Sequence, residues 1–189
     1  SKFHDSQQMY FRTYMSEDQR FASTRPDVLV FETEPLKENV TIAGPIKADL
    51  FVSTTGTDAD WIVKIIDVFP DDEKNPEPNP NNVEMGGYQR LIRYEILRGK
   101  FRNSFENPIP FTPNKITNVK INLNDVDHTF LKGHKIMIQI QSSFFPFFDR
   151  NPQKFIDIYK AKDEDFQKAF HKVYFSEKYP SNISFGIIK

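Results

Sequence analysis

The feature that most constrains this chain is a strand that runs straight into a cluster of aromatic rings, within residues 125–155. Residues 135–141, KIMIQIQ, follow the turn pair Gly133-His134. Glycine accepts backbone angles that other residues avoid. Ile136, Ile138 and Ile140 alternate with Met137, Gln139 and Gln141. Successive side chains on a strand point to opposite faces, so the run predicts a strand with one buried face. Its three isoleucines suit a pleated surface. The sequence then reads SSFFPFFDRNP over 142–152. Pro146 has no amide to donate and ends a central strand. Phe144, Phe145, Phe147 and Phe148 flank it, and each is worth roughly 1.5–3 kcal/mol on full burial. Either the loop folds over the open end of its own sandwich, or some rings face a partner domain or a substrate cleft. Asp149 and Arg150 read as a local ion pair or turn contact, with substrate contact as the alternative.

Turn-separated apolar runs recur along the chain. Residues 28–33, VLVFET, read as a first core strand stopped by Pro35. Residues 40–43 follow, with Gly44-Pro45 as a break. Over 46–54, Ile46, Ala48, Leu50 and Val52 share one face. Residues 61–69, WIVKIIDVF, are apolar on both faces, which predicts a central strand covered on both sides. Residues 71–83, with three prolines among Asn and acidic residues, read as an exposed loop. Over 88–97, Leu91, Arg93, Glu95 and Leu97 stand opposite Tyr88, Arg90, Ile92, Tyr94 and Ile96. Residues 119–123 form a half-buried strand, and 125–133 lead into the strand at 135. Residues 157–170 fit a short amphipathic helix only loosely. Residues 173–175 and 183–188 close the pattern. About eight or nine short strands with no βαβ rhythm predict an all-β fold, an antiparallel β-sandwich or jelly roll, with one short helix allowed. Residues 1–24 read as an interdomain segment or a chain boundary, and 25–189 as a single domain.

Composition enters as exclusion. A formal net charge of −1 argues against nucleic acid as a partner, because phosphate binding needs a basic surplus. The absence of cysteine removes disulfides, thiolate nucleophiles and thiolate metal sites together. No apolar run reaches the roughly 18 residues of a membrane span. No charged-then-apolar leader opens the sequence. Phe-rich, Pro-rich and Gly-poor usage fits a sandwich with proline-broken loops.

Chemistry is sparse. No Gly-x-Ser-x-Gly elbow is present, so a serine nucleophile would have to be assembled by tertiary contact alone. Glycosidase chemistry needs two opposed carboxylates, and among 26 acidic residues the sequence selects no pair. His128 and His134, with Asp125 and Asp127 nearby, have a donor set that suits zinc but no specific spacing; a structural turn is the simpler reading. Asp58 and Asp60, in the turn TGTDADW, are weak candidates for Ca²⁺, against an ordinary turn whose side chains bond backbone amides. No metal and no cofactor are expected. An exposed Trp61, Tyr88 or Tyr94 would offer a sugar platform, which makes a stand-alone carbohydrate-binding module the alternative function; the simpler reading places these rings in the core. A Ca²⁺-stabilised structural domain is a third reading.

Three blocks carry a resemblance: RFASTRPDVLVFETEPL (20–36), TIAGPIKADLFVSTTGTDADWIVKIIDVFP (41–70) and HTFLKGHKIMIQIQSSFFPFFDRNPQ (128–153). In that order they resemble the C-terminal domain of the X-Pro dipeptidyl-peptidase and cocaine-esterase-like serine hydrolases. Within that group they are most similar to α-amino-acid ester hydrolase and glutaryl-acylase type members. The resemblance implies a jelly roll of the galactose-binding-like class, packed on an α/β-hydrolase domain of the same parent chain. It implies a non-catalytic role, since the family's Ser, Asp and His lie in that other domain and no position here matches their motifs. Phe144, Phe145, Phe147, Phe148, Asp149 and Arg150 become the expected interdomain or cleft contacts, with TGTDADW at the same face. An apolar patch of this kind also allows a homo-oligomer.

Overall fold

The computed structural model describes residues 16–188. Its strands are β1 (Val28–Glu32), β2 (Val40–Thr54), β3 (Asp60–Val68), β4 (Gln89–Arg98), β5 (Thr117–Phe130), β6 (Lys135–Gln141), β7 (His171–Val173), β8 (Phe175–Ser176), β9 (Tyr179–Pro180) and β10 (Asn182–Ile188). One sheet has the order β1-β6-β3-β4. The facing sheet has the order β10-β2-β5, with β7 paired to the end of β2, and β8-β9 form a small ribbon. Every pairing between strands is antiparallel. The chain is an all-β sandwich.

Alternation builds the core. Ile46, Ala48, Leu50 and Val52 of β2 and Val119, Ile121 and Leu123 of β5 face Trp61, Val63 and Ile65 of β3 and Ile140 of β6. Every residue of β3 is buried, as its two apolar faces require. Strand β6 departs from expectation: Met137, Gln139 and Gln141, read as a solvent face, are buried as well. They lie on the outer side of the sheet, where β6 runs between β1 and β3 and Met137 packs with Val30, Ile66 and Leu91. Strand β1 is an edge strand, and its Leu29 and Phe31 are exposed.

Three bulges are invisible in a period-two reading, because each shifts the phase of its strand by one residue. The expected break at Gly44-Pro45 is absent, and β2 runs through it with Gly44 at φ +83°. Pro45 lacks a donor, and it faces the place where the β10 register shifts between Ser184 and Gly186. Strand β5 continues to Phe130 instead of ending near 123. Pro45 pairs Asp125 while Lys47 pairs Asn122, and the extra residue is Asn124 at φ +65°. Asn is among the few side chains that tolerate this left-handed conformation. In β4, Ile65 pairs Arg93 but Ile66 pairs Leu91, so Ile92 is the extra residue. Ile92 therefore packs into the core between the sheets, and Leu91 packs outward against Ile66 and Val68, the reverse of the alternation over 88–97.

The expected helix over 157–170 is replaced by two 3₁₀ turns, Ile158–Lys160 and Asp163–Asp165. Its later amides are committed elsewhere: Gln167 N donates to Pro152 O, and Phe170 N donates to Thr55 Oγ1. The α-helix of the described residues is the single turn α1 (Arg20–Ser23).

Candidate functional site

The aromatic loop stands on the outer face of the β1-β6-β3-β4 sheet. Ile62 and Lys64 of β3 and Tyr94 and Ile96 of β4 form its floor, with Phe21 of α1 beside them. Lys64 is fully buried. Its Nζ donates to Gln19 Oε1 at 2.8 Å and lies 3.8 Å from the centroid of the Phe144 ring. A ring face and an amide oxygen both favour the ammonium form. Burial outweighs them and, with the Arg25 charge, lowers the amine from 10.5 to about 7.

Phe144 is the anchor, 2% exposed and edge-on to Tyr94. The amides of Phe147 and Phe148 both donate to Phe144 O, which closes the loop on itself. Phe148 is half-buried and packs against the floor. Phe145 and Phe147 remain 55% and 43% exposed. The loop therefore divides: Phe144 belongs to the fold, and two rings are presented to solvent. Asp149 and Arg150 form no ion pair with each other among the described residues. Arg150 lies over the rings of Phe145 and Phe166 at 5.5 and 5.2 Å instead. Asp149 O accepts from Arg98 Nη2 at 3.5 Å.

The far end of the loop is tied down by TGTDADW. Buried Asp60 accepts from Arg98 Nε at 3.1 Å and from Asn151 Nδ2 at 2.8 Å. Thr57 N donates to Gln153 O, and Phe155 N to Thr57 Oγ1. Asp58 Oδ1 accepts from the amides of Ala59 and Lys100; burial raises its pKa, and those amides oppose the rise. Both carboxylates of the candidate Ca²⁺ turn are thus engaged by the protein itself. His128 and His134 meet on Asp67 of β3, at 3.0 and 2.7 Å, rather than on Asp125 or Asp127. No group of three or more His, Cys, Asp or Glu among the described residues is placed to hold a metal. Trp61 is a core side chain, 2% exposed, and presents no platform. Tyr94 is spent on the phenylalanine cluster, and Tyr88 packs on Phe69.

Sequence reasoning missed Lys64, Gln19, Arg98 and Asn151. Lys64 had a signal: one cation inside a strand apolar on both faces needs a buried partner. The others depend on tertiary contacts 38 to 91 residues apart.

The domain is thus an antiparallel sandwich with an aromatic loop anchored on one outer face. Residues 4–184 match the X-Pro dipeptidyl-peptidase C-terminal non-catalytic domain, and the chain belongs to that family. It is similar to the cocaine esterase of Rhodococcus sp. (strain MB1 Bresler), 33% identical over 172 residues, which are 91% of this chain and 27% of that protein. Among solved structures it resembles an aminopeptidase from a marine sediment Thaumarchaeota archaeon, at 46% identity and TM-score 0.84, covering 93% of this chain and 28% of the other. It also resembles an α-amino acid ester hydrolase, at 45% identity and TM-score 0.85, with the same coverages of 93% and 28%. The chain therefore spans under a third of the relatives it matches, and corresponds to one domain of larger hydrolase chains. No helix among the described residues is long and apolar enough to cross a membrane.

Proposed function

We propose that this domain packs on an α/β-hydrolase domain of the same parent chain and helps to shape that domain's active-site side. The parent would be a serine hydrolase acting on acyl, ester or X-Pro peptide bonds. The observation that carries this reading is the divided loop. Phe145 and Phe147 are held outward on a base fixed by Phe144, Lys64 and the Asp60–Arg98–Asn151 contacts. Exposed rings on a rigid support favour docking, because little side-chain or loop ordering remains to oppose association. The relatives named above support the parent's class. Two measurements test the reading. The purified chain is expected to show no turnover of an aminoacyl ester; robust hydrolysis overturns the proposal. In the parent chain, Phe145→Ser with Phe147→Ser is expected to separate one calorimetric transition into two, and an unchanged single transition counts against docking through this loop.

A further inference from the structure

The aromatic loop carries a charge that nothing within the domain offsets. Arg150 lies over the rings of Phe145 and Phe166, and those contacts draw on its charge while using none of its N–H donors. Among the described residues it forms no ion pair and donates no hydrogen bond. Arg20, Arg25, Arg93, Arg98 and Arg102 each donate to a carboxylate or a main-chain carbonyl. Arg90 is the other exception, and it lies over Phe69, which takes no part in the loop. Asp149 does not meet the need. Arg98 Nη2 donates to the Asp149 carbonyl, and the Asp149 carboxylate acts on the charge of that same guanidinium. The place of Arg150 is set by its neighbours. Asn151, next in the chain, is bonded to buried Asp60, and Phe166 closes the second 3₁₀ turn.

We infer that Arg150 receives a carboxylate from the hydrolase domain, an Asp or Glu side chain set beside the surface that covers Phe145 and Phe147; the inference rests on the docking reading above. Arg150 lies over the Phe145 ring, so a body that covers this ring also strips water from the guanidinium. A cation leaving water costs free energy unless an opposite charge replaces its hydration. Main-chain carbonyls would satisfy its donors and leave its charge. A carboxylate does both, because its two oxygens match the planar fork of the guanidinium. The complementary surface is therefore apolar where it meets the two rings and acidic at one edge.

Hydrogen exchange at the amides of Phe147 and Phe148, compared between the parent chain and the 189-residue chain, tests the inference. Docking adds protection in the parent, and Arg150→Gln should cut that added protection roughly fivefold, as loss of a partly exposed ion pair does. Arg150→Glu should cut it further and Arg150→Lys less, and high salt should narrow the differences. Arg90→Met, which removes the other arginine held only by a ring, should leave the added protection unchanged. Three results overturn the inference. Equal losses in the two chains would make Arg150 a brace between Phe145 and Phe166. A loss untouched by salt, with Arg150→Glu no worse than Arg150→Gln, would assign its donors to neutral carbonyls. Unchanged protection with a raised KM for acidic substrates alone would place the carboxylate on the substrate. The parent carrying Phe145→Ser with Phe147→Ser keeps the two readings apart. Where its calorimetric transition splits and Arg150→Glu loses no protection, docking stands and the carboxylate falls; where its transition stays whole, docking itself falls.

Discussion

Lys64 places a titratable group where water does not reach. Its amine has a folded-state value of about 7 against 10.5 in a solvated chain. Between those values the unfolded chain holds a proton that the folded chain has released. Stability contributed by this residue therefore rises with pH across that window, and below it the folded state carries the full cost of a buried cation. Lys64→Met is expected to stabilise the domain on the order of 3 kcal/mol at pH below 7, with the gain shrinking toward pH 10.5. Urea unfolding of both proteins across that range measures the difference, and a gain independent of pH would refute the assignment. Asp60 is the opposite case, a buried carboxylate whose charge is matched. Arg98→Met leaves it with Asn151 and is expected to cost about 3 kcal/mol. Amide exchange at Phe147 and Phe148 should quicken in the same variant, because Asn151 ties the aromatic loop to Asp60.

At the scale of elements, what the sequence made legible follows from whether a strand keeps its phase. Ile46, Ala48, Leu50 and Val52 keep it, and all four are core residues. Trp61 to Val68 were legible for another reason, since two apolar faces admit only a central position. Ile92, Asn124 and the Gly44-Pro45 pair were not legible, because a bulge is defined by the partner strand and leaves no local periodicity. The outer burial of Met137, Gln139 and Gln141 was hidden for a related reason: polar residues at alternate positions mark solvent only when nothing lies over the sheet. The aromatic loop was recognised, but its division into buried Phe144 and exposed Phe145 depends on Lys64 and Tyr94, far away in sequence. The turn after β4 offers an element-level test. A Cβ on Gly99 would lie 2.3 Å from Phe111 Cε2 and 2.8 Å from Ala59 O. Gly99→Ala is expected to destabilise the domain by about 1–3 kcal/mol, read from the urea midpoint, because Phe111 is fully packed.

For the whole molecule, the exposed rings predict behaviour in solution. At high concentration the isolated chain should self-associate, and sedimentation should shift toward larger species as concentration rises. Phe145→Ser with Phe147→Ser is expected to return it to monomer with a modest fall in melting temperature, since about half of each ring faces water and Phe147 also packs on Tyr94, Phe144 and Phe148. Equal sedimentation of the two proteins would remove the loop as the adhesive surface.

The segment 16–19 supports the loop from beneath, and the support bears on how tightly anything need bind there. Ser16 and Phe148 line the same recess beside Tyr94, and residues 17–19 are stitched to β4 through Gln19 N to Gln89 O and Leu91 N to Glu17 O. Residues 16–19 thus brace the face of the sheet on which half-buried Phe148 packs. A partner domain of the same parent chain, as proposed above, would meet the exposed rings at an effective concentration in the millimolar range. Two rings of weak intrinsic affinity then suffice to keep it seated, and the same contact made by an untethered copy would be lost on dilution.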